Sequence, residues 1–114
     1  MTSEKFDTLF NNVVDRCRDT LCLKAKEYAN EYATDDRLHN FKIAADLQGC
    51  TPVTALAGMM AKHTVSVYDL IQRHELREAI SPDMWNEKVF DSINYLILLY
   101  ALLAEEEEIY NAKD

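Results

Sequence analysis

The chain has little that would interrupt a helix. Its 114 residues include two glycines and two prolines, and no stretch is rich in Gly, Pro or Ser. That excludes collagen-like and low-complexity organisation and leaves no candidate linker between domains. Strand-like alternation of apolar and polar residues is missing as well. Positive charge is scarce: 12 Lys and Arg face 20 Asp and Glu, a net charge of −8. A generic binder of nucleic acid or of an anionic membrane is excluded, because no basic surface exists to displace counterions. Cys17, Cys22 and Cys50 make an odd count, with no CxxC spacing and no histidine set that would complete a zinc site. All three read as reduced, buried or half-buried thiols. The longest apolar run, Ile93 to Ala104, falls short of the roughly 20 residues that span a bilayer. The N-terminal MTSEKFDTLF has no apolar core of the signal-peptide kind. A soluble, cytoplasmic protein is expected.

What is present is apolar and helical. With 48% hydrophobic residues, a chain of this length forms one domain, residues 1–114, that buries roughly two-thirds of its unfolded surface. From Ser3 to about Ala33, apolar residues recur in steps of three and four: Phe6, Leu9, Phe10, Val13, Val14, Cys17, Leu21, Ala25, Tyr28 and Tyr32. This spacing predicts a long amphipathic helix, with Ser3 as its cap. Thr34-Asp35-Asp36 breaks the pattern, since short polar side chains compete with the helical backbone. Arg37 to Leu47 predicts a short second helix ended by Gly49. Thr51-Pro52 restarts a helix that runs to about Glu78, with Leu56, Met59, Met60, Val67, Leu70 and Ile71 as its apolar core. Ser81 caps the last helix, Pro82 suits its first turn and Asp83 places a carboxylate at the positive end of its dipole. Apolar residues from Val89 to Leu103 cover more than half of its circumference, so burial on at least two sides is expected. The Glu105–Glu108 run opposes the dipole at the helix C-terminus and is expected to fray from about 105 into a solvated tail. The fold class that follows is all-α: three long helices and one short one in a bundle. The apolar girth of the last helix calls for oligomerisation to complete it.

Two polar clusters interrupt these apolar helices. Glu87, Asp91 and Asn94 follow an i, i+4, i+7 spacing and share one stripe of the last helix, with Tyr95 beside it. Two carboxylates one turn apart can hold a hard cation, and an amide further along can meet a ligand. The same spacing is common on solvated faces. The third helix carries Lys62, Ser66, Asp69 and Arg73 as a polar stripe, with His63 next to it. The connecting segment Asp36 to Phe41 adds Arg37, His39, Asn40 and the Phe41 ring. Such a set can serve a nucleotide, with a ring to stack the base, an amide to read its edge, cations for phosphate and carboxylates for magnesium. Each member also has an ordinary explanation: Phe41 as core, Arg37 in a turn ion pair with Asp36, His63 as a hydrogen-bonded structural histidine. A Ser66–His63–Asp69 triad is discounted, because neither a sharply presented hydroxyl nor an oxyanion hole has a signal here.

The order and spacing of KAKEYA (24–29), DRLHNFK (36–42), ALAGMMAKH (55–63) and EKVFDSINYLILL (87–99) resemble a set of small phage and prophage proteins, the nucleotide-modification-associated domain family. That family is similar in turn to the MazG-type all-α nucleoside triphosphate pyrophosphohydrolases. The resemblance spans roughly residues 20 to 104. It implies a helical homodimer or homotetramer that binds a nucleotide through Mg, in a bacterial or phage-infected cell, and hydrolyses a nucleoside triphosphate to monophosphate and pyrophosphate. Glu87 and Asp91 correspond to the acidic, metal-holding pair, followed by Asn94 and Tyr95, and Lys62 to the cation of the preceding helix. Taken with the polar clusters read from the residues themselves, the nucleotide-binding set is Arg37, Asn40, Phe41, Lys62, His63, Asp69, Asn94 and Tyr95, of which the resemblance supplies Lys62, Asn94 and Tyr95. One part of the pattern is missing. The EExxE pair of glutamates of the MazG-type enzymes is replaced by Met59, Met60, Ala61, Lys62 and His63. Either Glu27, Glu31, Asp36 or Asp69 supplies carboxylates from elsewhere, or the protein binds nucleotides without hydrolysing them. A helical interaction protein with no ligand is the remaining alternative.

Overall fold

The computed structural model describes the backbone of residues 1–32 and 35–112, with side chains for 1–23 and 35–108. Among the described residues every regular element is helical: α1 (Ser3–Tyr32), α2 (His39–Gln48), α3 (Pro52–Glu75) and α4 (Pro82–Ala112). No helix among them is long and apolar enough to cross a membrane. The contacts divide the chain into two compact units, Met1–Arg37 and Leu38–Asp114.

The first unit is α1 and the segment after it. Its cap is Thr2 rather than the expected Ser3: the Thr2 hydroxyl accepts from the Lys5 amide at 3.2 Å, and Phe6 N–H bonds the Thr2 carbonyl at 3.0 Å. Both residues can cap, and the one that lies three before a free amide takes the role. Arg37 donates to the Leu21 carbonyl at 2.8 Å, so its guanidinium is used inside this unit. No disulfide joins the three cysteines; Cys17 is buried and, in the other unit, Cys50 half-buried, as expected, whereas Cys22 is exposed because it stands off the apolar stripe of α1. The expected apolar positions Ala25, Tyr28 and Tyr32, and the carboxylates of Glu27 and Glu31, lie outside the described side chains.

The second unit is built by α2, α3 and α4, with α3 packed against both of the others. Thr51 caps α3 through a 3.2 Å bond from the Thr54 amide, with Pro52 in the first turn. Ser81 caps α4 through the Met84 amide at 3.2 Å. Both starts fall where the sequence places them. The ends of α2 and α3 share one geometry from different residues. At Gly49 (φ 66°) the Gly49 and Cys50 amides return to the carbonyls of Asp46 and Ala45. At Arg77 (φ 63°) the Arg77 and Glu78 amides return to His74 and Arg73. This left-handed close satisfies carbonyls that the helix leaves open. It also stops α3 at Glu75, short of the expected Glu78.

Contacts along α3 and α4 run in opposite order. His74 meets Trp85 edge-on at 6.0 Å, His63 stacks on Tyr95, and Leu56 shares a core with Leu102. The two helices are therefore antiparallel along their length. The core is Leu38, Phe41, Leu56 and Leu102, with Val53, Met59, Met60, Tyr95, Leu98, Leu99 and Ala101 packed against it.

Two expectations about α4 change. The helix continues to Ala112 through the acidic run expected to fray, and Glu105 forms a 2.6 Å ion pair with Lys42 of α2. A cation from a neighbouring helix offsets the repulsion that the dipole argument considers alone. Burial on two sides is also not reached among the described residues: Leu96, Ile97, Tyr100 and Leu103 are all exposed, Tyr100 at 76%.

Candidate functional site

The middle of the α3–α4 seam is where polar side chains enter. The expected stripe on α4 is present, and its burial is graded. Glu87 is exposed, Asp91 half-buried and Asn94 buried at 6% exposure. The three share a face, and that face becomes covered as it approaches the apolar core. The Asn94 Oδ1 is buried without a hydrogen-bond partner. Glu87 lies 3.9 Å from its neighbour Lys88.

His63 on α3 faces this stripe. Its ring stacks on Tyr95 with centroids 4.6 Å apart and planes 30° from parallel, an arrangement that contributes about 0.5–1.5 kcal/mol beyond area burial. Its Nδ1 is 3.7 Å from Asp91 Oδ2, too long for a hydrogen bond. His63 rather than Lys62 is therefore the group that meets Asp91; Lys62 makes no ion pair among the described residues. The triad on paper does not form. Ser66 donates its hydroxyl back to the Lys62 carbonyl at 3.0 Å. Asp69, six residues after His63, is turned about 120° away on the helix and is exposed.

Beside the stacked pair an open cavity of about 350 Å³ is lined by Gln48, Ala55, Gly58, Met59, Lys62, His63 and Tyr95. This lies within the size range of small-molecule sites. The structure thus brings together three of the sequence-expected residues, Lys62, His63 and Tyr95, around one space, with Asp91 touching the group through His63. Asn40, Phe41, Asp69 and Asn94 do not line it. Phe41 is 7% exposed and belongs to the core, so its faces are covered by apolar side chains rather than open to a base. Arg37 belongs to the other unit.

Gln48, Ala55, Gly58 and Met59 are lining residues that the sequence reading does not single out as functional. Gly58 carried the one available signal, an isolated glycine inside a strong helical pattern.

No group of three or more His, Cys, Asp or Glu side chains among the described residues is placed to hold a metal ion. Magnesium is commonly held by one or two protein carboxylates together with ligand phosphates. Glu87 and Asp91 stand one turn apart on α4, do not line the cavity and, among the described residues, do not make a site from protein groups alone. Compared with known proteins, the chain matches no family model, no curated protein and no solved structure.

Proposed function

We propose that this chain is a nucleotide-binding protein that uses the cavity between the end of α2, α3 and α4. The observation that carries the reading is that Lys62, a cation with no ion pair among the described residues, lines one cavity together with the His63–Tyr95 stack. In a chain of net charge −8, a lysine held beside aromatic rings matches a ligand that joins an anion to a flat ring. The phosphate lies toward Lys62 and the base or sugar against the stacked pair. Glu87 and Asp91 would meet a magnesium ion delivered with the phosphates, where the ion would neutralise their charge.

The resemblance to the MazG-type proteins favours a second reading on the same site, hydrolysis of a nucleoside triphosphate to monophosphate and pyrophosphate. The i, i+4 pair of Glu87 and Asp91 supports it, and the replaced EExxE pair weighs against it. The exposed row of Leu96, Ile97, Tyr100 and Leu103 on α4 supports a homodimer or homotetramer in which a second copy covers that helix.

Thermal unfolding against a panel of ribo- and deoxynucleoside triphosphates, with and without magnesium, tests the reading. A ligand at 100 times its dissociation constant adds about 2.7 kcal/mol of stability, and Lys62→Ala removes that gain. A panel in which no nucleotide shifts the transition overturns nucleotide binding. Pyrophosphate release by the stabilising nucleotide decides between binding and hydrolysis.

A further inference from the structure

We infer that Gly58 sets what the cavity admits, because the ring of the bound nucleotide lies directly on the α3 backbone there, in the space that a side chain would take. This rests on the nucleotide reading above and assigns a specificity-determining residue within that site.

Gly58 sits inside a 24-residue helix, where glycine is less favourable than alanine because it gives up more backbone freedom. Two structural reasons for keeping a glycine do not apply. Its backbone is not in the left-handed region, which among the described glycines only Gly49 occupies. Nor does another described part of the chain press against it: among the described residues a Cβ built at Gly58 meets no heavy atom within 4 Å. Helix packing would accept alanine with no displacement.

The space in front of Gly58 is the cavity itself. Ala55, Gly58 and Lys62 stand at i, i+3 and i+7, so they share one face of α3. Ala55 and Gly58 form a floor almost without side chain, and Lys62 closes one end of it with a cation. The His63–Tyr95 pair stands beside it. The rise from Gly58 to Lys62 is about 6 Å along the helix, a distance that a sugar bridges between a base and its first phosphate. A flat ring needs close approach over its whole face, and only glycine leaves the backbone open to it.

The test compares wild type, Gly58→Ala and Gly58→Met by thermal unfolding without ligand and by calorimetric titration. The titrants are ATP, GTP, CTP and UTP and their deoxy counterparts. Both variants are expected to unfold at a higher temperature than wild type without ligand, as the helix gains a better former. Gly58→Ala should lose affinity about tenfold or more, since one carbon in a fitted pocket has that effect, and Gly58→Met should lose binding altogether. Equal affinity of wild type and Gly58→Ala overturns this inference and leaves the nucleotide reading standing. A lower unfolding temperature of Gly58→Ala also overturns it, by giving the glycine a structural role. Wild-type protein that binds no nucleotide in the panel overturns both.

Discussion

Arg77 and Gly49 occupy nearly the same backbone conformation, with φ of 63° and 66°, and only one is a glycine. A side chain in the left-handed region costs roughly 1–2 kcal/mol. Arg77→Gly is therefore expected to raise stability by about 0.5–1 kcal/mol, and Gly49→Ala to lower it by about 1 kcal/mol. Urea titration of the two variants reads both signs. No heavy atom stands within 4 Å of a Cβ on Gly49, so its penalty is conformational alone. The sequence announces the Gly49 stop and hides the Arg77 one, because an arginine gives no cue that it will turn left-handed. Phe41 makes a different point. Its ring has the chemistry of a base platform, and burial at 7% exposure assigns it to the core. Phe41→Ala should cost about 3–5 kcal/mol of stability, measured by denaturant unfolding; a loss confined to ligand affinity would reverse that assignment.

At the scale of elements, caps and spacing carried most of the information. Thr51, Pro52, Ser81 and Pro82 mark two helix starts correctly, because a hydroxyl three residues before a free amide acts locally and needs no tertiary partner. The stripe Glu87, Asp91, Asn94 is equally local, and it is a stripe. What spacing could not give is the partner across the seam. Lys62 and His63 are neighbours in sequence and point about 100° apart on α3, and only the antiparallel register with α4 selects His63 for Asp91. That register has a consequence for Asp91→Asn. The His63–Asp91 approach is 3.7 Å and partly solvated, so it contributes no more than about 1 kcal/mol. Melts without ligand should therefore change little, while the response to magnesium and nucleotide together should disappear. A large loss of stability in the ligand-free protein would make the pair structural and remove Asp91 from the site.

For the whole molecule, hydropathy predicts an apolar helix correctly and does not by itself say where the cover for it comes from. The girth of α4 suggests cover on several sides, yet among the described residues a row of its apolar side chains stays exposed. Leu96 at 56% and Tyr100 at 76% exposure lie on the open side. Sequence counts apolar residues and is blind to whether the neighbour that covers them belongs to the same chain. Leu96→Glu and Tyr100→Glu are expected to leave the α2–α4 core intact, since neither residue is part of it, and to shift sedimentation from an assembly to a monomer. Wild-type protein that sediments as a monomer at micromolar concentration would remove the second copy from the account.

The Asn94 oxygen, buried with no hydrogen-bond partner among the described residues and away from the cavity lining, carries a cost in heat resistance. A buried acceptor with no donor is a standing penalty of about 1–3 kcal/mol, and an apolar side chain of similar shape abolishes it. In a library screened for survival at high temperature alone, Asn94→Leu should rise among the winners. Screened a second time for nucleotide retention, the same clones should fall away if a donor from the ligand or its water is what that oxygen waits for. Clones that keep both properties would make Asn94 a fault in the packing and nothing more.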